Sequence, residues 1–199
     1  MNNIKRATDL SIAIMAGGKS VRMGTDKAFV PFRGKTMIEH VIERVRGLSE
    51  DIFIVSNKPD SFEIFGFPTV SDIYKNCGPL GGIHTALHHL SSGHLLIVAC
   101  DMPWLERDLL DYMISVRAEG DIVVPRWDKF PEPLHAIYSK TCQGPVEDSL
   151  DSGVLNVVGF YGKVTVRFVE RNEIERFDPL GRSFANLNTP TDIEDAESY

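Results

Sequence analysis

The sequence predicts a three-layer α/β fold, with helices covering both faces of a mostly parallel central sheet, and three observations carry that expectation. Apolar runs of strand length recur at 11–15 (SIAIM), 51–56 (DIFIVS), 94–100 (HLLIVAC) and 121–125 (DIVVP). Segments with helical spacing lie between them, the alternation that a parallel sheet with crossover helices requires. The 199 residues, 43% hydrophobic and 25% charged, suffice for one sizeable core and leave little room for another. A single domain over 1–199 in a Rossmann-like arrangement is therefore expected.

Taken in order, the first strand, 11–15, runs into two glycines. The segment TMIEHVIERVRGL then sets Ile38, Val41, Ile42 and Val45 on one helical face, with Gly47 near its end. GGIHTALHHL (81–90) reads as the next helix after the strand at 51–56. ERDLLDYMISVRAEG (106–120) follows the strand at 94–100 and, with Leu105 just before it, sets Leu105, Leu109, Tyr112, Met113 and Val116 on one side. Beyond residue 125 the alternation weakens. PLHAIYS and KVTVRFVE read as strands, the stretch between them as one or two short helices, and PTDIEDAES as a terminal helix capped by Thr189 or Thr191. No internal repeat, low-complexity tract or linker interrupts the chain.

Composition removes several classes of function. The longest uninterrupted apolar run, LLIVAC, is far short of the roughly 20 residues that a membrane span needs. The start, MNNIKRATDL, lacks the apolar stretch of a secretory signal, so a cytoplasmic protein is expected. Cys77, Cys100 and Cys142 are odd in number and far apart, which argues against a disulfide framework and a structural zinc site. A formal net charge of −7 disfavours a general nucleic-acid or membrane-surface binder, which depends on a broad basic surface.

The chemistry concentrates after the first strand, in AGGKSVRMGTDK. Ligands of open α/β sheets sit beyond the carboxyl ends of the strands, where loop N–H groups are free to meet them. Gly17 and Gly18 let the backbone approach a phosphate, and Lys19, Arg22 and Lys27 neutralise its charge. Two common nucleotide loops fail here: a P-loop needs glycine where Ala13 stands, and the dinucleotide fingerprint needs it where Ser20 stands. A surface turn with scattered lysines is the plain alternative.

Two carboxylates reach the same sheet edge. Asp101, in ACDMP after the strand at 94–100, suits Mg²⁺, which takes one or two protein carboxylates together with phosphate oxygens. Asp72 precedes the glycine-rich CGPLGGI and is placed to orient a base or ribose. Alone, either aspartate is more often a helix cap; beside a basic glycine loop, both point to function. His84 and His88 lie four apart but have no third ligand, so a solvated helix face is expected there. His135, in EPLHAIY, is a candidate to line a substrate pocket.

MAGGKSVRMGTDKA, SNK, SD with CGPLGGI, ACDMP, EPLHAIY and NLNTPTDI occur in this order across nearly the whole chain. The set resembles the molybdenum cofactor guanylyltransferase (MobA) family, within the wider nucleotidyltransferases of Rossmann-like fold. The resemblance implies transfer of GMP from GTP to molybdopterin with Mg²⁺ and release of pyrophosphate, and transient contact with other proteins of molybdenum cofactor biosynthesis. It also implies a GTP-binding loop of Met15, Ala16, Gly17, Gly18 and Lys19 with Lys27, nucleotide contacts at Asn57 and Asp72, and an Asp101 shared by GTP and Mg²⁺. Arg22 falls at the triphosphate-facing arginine. Met15 stands where leucine is usual and Gly81 where alanine is common, and residues 140–180 match no pattern for the molybdopterin pocket.

Residue chemistry agrees with that implication. A phosphate oxygen is already a nucleophile, so no Ser-His or Cys-His pair is needed, and positioning and charge stabilisation supply the rate. Arg22, Lys27 and Asp101 are the expected catalytic groups. Alternatives are a molybdopterin cytidylyltransferase or sugar-phosphate nucleotidyltransferase of the same fold, and a non-catalytic nucleotide sensor. Related cytidylyltransferases carry LAAG where this chain has MAGG, so Gly17 favours GTP.

Overall fold

In the computed structural model, residues 9–17, 26–187 and 189–197 are described. Strand β1 (Leu10–Met15) is buried along its whole length, as a strand covered on both faces must be. A short hairpin follows, β2 (Pro31–Phe32) and β3 (Lys35–Thr36), turned by Arg33 and Gly34 at positive φ. Helix α1 (Met37–Val45) starts where the Glu39 carboxylate accepts the Thr36 backbone N–H at 2.7 Å, and it buries the predicted stripe Ile38, Val41, Ile42 and Val45. Next come β4 (Asp51–Val55), β5 (Thr69–Val70), α2 (Gly78–His88), β6 (His94–Ala99), α3 (Arg107–Ser115) and β7 (Ile122–Arg126). The last third adds β8 (His135–Ser139), α4 (Gln143–Asp151), β9 (Val166–Glu170), the short α5 (Arg171–Ile174) and α6 (Pro190–Glu197).

Seven of these strands pair in the order β5-β4-β1-β6-β8-β7-β9. Strand β1 lies parallel between β4 and β6, with Ile12 beside both Ile52 and Leu96. Side chains alternate across each strand. Ile12, Ile14, Ile54, Leu96 and Val98 face one layer with α1 and α3, while Ala13, Met15, Val55, Leu95 and Ile97 face the other with α2 and α4. The predicted three-layer, mostly parallel α/β fold is therefore what the chain adopts. Strand β8 is the exception: it runs antiparallel to both β6 and β7, with Val98 opposite His135. Because β8 enters the sheet at the edge where the parallel strands leave, the segment before it lies beside the end of β6.

Local chemistry explains the remaining differences from the expected boundaries. Helix α2 starts earlier than the glycine pair, at Gly78, because Pro79 sits in its first turn, where a missing N–H costs nothing. Thr189, not Thr191, caps the last helix: its hydroxyl accepts the Asp192 N–H at 3.1 Å, and its own N–H donates to the Asp192 carboxylate at 2.8 Å. Among the described residues no helix is long and apolar enough to cross a membrane.

Candidate active site

The ends of three parallel strands are knitted together beyond the sheet. The Ala16 N–H donates to the Val55 carbonyl at 2.9 Å, and the Cys100 N–H donates to the Met15 carbonyl at 3.0 Å. These bonds form a rigid floor at the carboxyl edge, and above it opens a cavity of about 620 Å³. Met15, Ala16 and Gly17 from the end of β1, and Asn57 after β4, line it together with Asp72, Lys27 and Asp101. Among the described residues, every one expected to contact nucleotide or metal is thus brought to one cavity. Gly18, Lys19 and Arg22 lie outside the described residues.

One wall is the segment Ser71–Cys77. Asn57 fastens it reciprocally, its Nδ2 donating to Asp72 Oδ2 at 2.6 Å and its Oδ1 accepting the Asp72 N–H at 3.2 Å. The Lys75 ammonium donates to the same Oδ1 at 2.8 Å. Asp72 and Asn57 therefore form one unit, which a sequence separation of fifteen residues conceals. Below them, glycine in α2 lets Met15 come close: a Cβ at Gly82 would stand 2.3 Å from Met15 Cε and 3.7 Å from Asp72 Oδ1.

The opposite wall is charged. Lys27 opens a 3₁₀ turn whose cap, Asp26, accepts the Ala28 N–H at 3.3 Å. The Lys27 ammonium lies 3.4 Å from Asp101 Oδ2, both side chains being half-buried. Asp26 also pairs with Lys58 at 3.4 Å. Asp26, Lys58, Asn76 and Leu134 line the cavity and were not singled out in the sequence. Two carried a signal: Lys58 closes the SNK motif, and asparagine is favoured at the positive φ (59°) that Asn76 adopts before Gly78. Leu134 reaches the cavity only because β8 is antiparallel.

Among the described residues no cluster of three metal-ligating side chains exists. A single accessible carboxylate nevertheless fits Mg²⁺, whose remaining positions go to phosphate and water oxygens. Asp101 offers that carboxylate, shared with Lys27. Burial pushes the thiol of Cys100, the cysteine lining the cavity, far up, so it is not poised as a thiolate nucleophile; the Cys142 thiol, away from the cavity, is pushed up to about 12.

Two histidine expectations need correcting. His84 is 2% exposed, its Nε2 lying 3.0 Å from Glu147 Oε1; of the two, His88 alone is exposed. The α2 helix turns His84 toward α4, a layer contact that spacing within one helix does not reveal. His135 is fully buried and packs on Phe184 with ring centroids 5.2 Å apart, so it belongs to the core and does not line the cavity. The first residue of β8 is covered by the segment around Ser183, whereas Leu134, one residue earlier, faces the pocket.

Residues 12–164, from β1 through the strands and helices that build this cavity, match the family described as the MobA-like NTP transferase domain. This chain belongs to that family. It is a nucleotidyltransferase. A probable molybdenum cofactor guanylyltransferase of Clostridium perfringens (strain 13 / Type A) is 36% identical over 188 residues, covering 93% of this chain and 94% of the relative. The molybdenum cofactor guanylyltransferase of Syntrophotalea carbinolica is 34% identical over 186 residues, covering 92% and 89%. Among solved structures, the molybdopterin-guanine dinucleotide biosynthesis protein A of Archaeoglobus fulgidus superposes with a TM-score of 0.82 at 27% identity, covering 94% of this chain and 97% of that one. MobA-like membership thus accounts for the order of the motifs and for the strand-end cavity alike.

Proposed function

We propose that this protein transfers GMP from GTP to the terminal phosphate of molybdopterin, releasing pyrophosphate. The observation that carries the reading is the convergence on one cavity of the β1 end, the Asn57–Asp72 unit and the Lys27–Asp101 pair. In this reading the backbone at Ala16 and Gly17 and the Asn57–Asp72 unit hold the nucleoside. Lys27 faces the phosphates and offsets the charge that builds on them as the α-phosphorus is attacked. An acceptor phosphate oxygen needs no general base, consistent with the protonated Cys100 thiol at the floor. Asp101 would hold Mg²⁺, which when bound neutralises and orients phosphate oxygens. The three free cysteines fit a reducing, cytoplasmic compartment.

Guanine presents N1–H and N2–H₂ donors that a carboxylate or carbonyl can accept, and cytosine leaves such acceptors unmatched. An unmatched buried group costs about 1–3 kcal/mol, or ~10- to 100-fold in selectivity. The test is incubation with each of the four NTPs, Mg²⁺ and molybdopterin, following pyrophosphate and the dinucleotide. GTP should exceed CTP and ATP by at least about tenfold in kcat/KM. Equal or better use of CTP would replace guanylyl by cytidylyl transfer. Asp101→Asn should lower kcat on the order of 10²-fold while the protein remains folded; unchanged turnover would remove Asp101 from the reaction.

A further inference from the structure

The segment Ser71–Cys77 carries Asp72 and Asn76 to the cavity, but much of what holds it faces away from the cavity. The Ile73 N–H donates to Thr85 Oγ1 at 2.9 Å. The Tyr74 carbonyl lies so close to α2 that a Cβ on Gly81 would stand 2.7 Å from its oxygen. The Tyr74 ring packs edge-on against His84, with centroids 4.7 Å apart, and its hydroxyl donates to Asp151 Oδ1 at 2.9 Å. His84 is itself held by Glu147, one turn before Asp151 on α4, at 3.0 Å. None of the described α4 residues lines the cavity.

We propose that Tyr74, His84, Glu147 and Asp151 form a clamp through which α4 sets how far the Ser71–Cys77 segment reaches into the nucleotide cavity. Tyr74 and Asp151 are then positioning residues for nucleotide affinity. The inference rests on the nucleotide reading of the cavity. Its physical basis is that Asn57, through Asp72 and Lys75, ties the segment on the pocket side, while the clamp adds to the Ile73–Thr85 bond on the other side. With both sides fixed, Asp72 is pre-organised; with one released, binding must also order the segment and loses affinity. The buried His84 ring gives Tyr74 a rigid face, and Glu147 holds that ring through Nε2, while Nδ1 has no partner among the described residues.

The test compares wild type with Tyr74→Phe, Asp151→Ala and the double variant in two measurements. The first is amide hydrogen exchange across 71–77 without nucleotide; the second is GTP affinity alongside kcat at saturating GTP. Each single variant should speed exchange in the segment and raise the Kd for GTP about threefold to tenfold, with kcat within about twofold. The double variant should lose no more than the larger single loss, because both changes remove one hydrogen bond. Asp151 is exposed, so the alanine variant folds and keeps the comparison interpretable. Unchanged exchange, unchanged Kd, or additive losses in the double variant would overturn the clamp. Faster exchange in the variants of a wild type that binds no NTP would instead overturn the nucleotide reading, and with it the affinity role of the clamp.

Discussion

At Gly81 a methyl group would stand 2.7 Å from the backbone oxygen of Tyr74, whereas at Gly17 it would meet only the Val55 carbonyl, at 3.9 Å. The two glycines therefore answer differently to the same substitution. Gly81→Ala must push the Ser71–Cys77 segment away from α2, and overpacking of this kind costs about 1–3 kcal/mol. Thermal or denaturant unfolding should report that loss, together with a raised KM for nucleotide; a variant as stable as wild type would show that the segment yields freely. Gly17→Ala has room in the protein, so its stability should stay within about 0.5 kcal/mol of wild type. Its effect should fall on the ratio of GTP to CTP use, and an unchanged ratio would remove Gly17 from base selection. Sequence alone marks both as glycines near motifs and cannot separate them, because the separation depends on which backbone oxygen lies opposite.

Among the elements, β9 and α5 show how a short helix is held. Arg167 on β9 donates to Glu119 at 2.9 Å and to Glu173 at 3.0 Å, and Glu173 also accepts the Glu170 N–H at 3.0 Å and the Tyr112 hydroxyl. The Arg167 guanidinium, first among these donors, draws the Glu173 carboxyl down from 4.5 to about 2. A carboxyl with a depressed folded pKa contributes stability that is complete above its unfolded value and is lost as pH falls toward the folded one. Between pH 4.5 and about 2, wild type should therefore lose stability that Glu173→Gln never had. Solvent screening at this half-buried pair reduces the expected difference at neutral pH to about 1–2 kcal/mol. Identical denaturation curves for the two proteins at pH 7 would refute it. The stripe of α1 and the runs of β1, β4 and β6 were legible in the sequence, since their periodicity follows directly from burial on one or both faces. The β2–β3 hairpin and β5, two residues per strand, were not, because so short a strand has no period to read.

For the whole molecule, His135 is the group whose burial most directly ties stability to mildly acidic pH. Burial pulls its imidazole from 6.5 down to about 4, and among the described residues neither ring nitrogen has a well-formed hydrogen bond, the Ser183 backbone offering only a weak contact. Asp178 nearby accepts the Arg182 and Ser183 N–H groups at 3.0 and 2.7 Å. With the folded pKa below the unfolded one, the unfolded chain binds the extra proton between them, so stability is complete above pH 6.5 and falls toward pH 4. The loss is on the order of 2–3 kcal/mol at acid pH. Denaturant titrations at several pH values should show this slope in wild type and a flatter one in His135→Leu, whatever the variant's absolute stability. Equal slopes would mean that His135 is not the group responsible.

The sequence by itself determined the α/β class, the central parallel strands and the set of residues at their carboxyl ends, because strand burial and strand-end loops leave local patterns. It also carried the family through motifs whose order spans the chain. Only the tertiary structure decided that β8 runs antiparallel and brings Leu134 to the cavity while sinking His135 into the core. Only it joined Asn57 to Asp72, Asp26 to Lys58, and Tyr74 and His84 to the carboxylates of α4. Each of those pairings crosses between elements far apart in the chain, and a contact of that kind is fixed by how layers pack, for which no single segment carries a period.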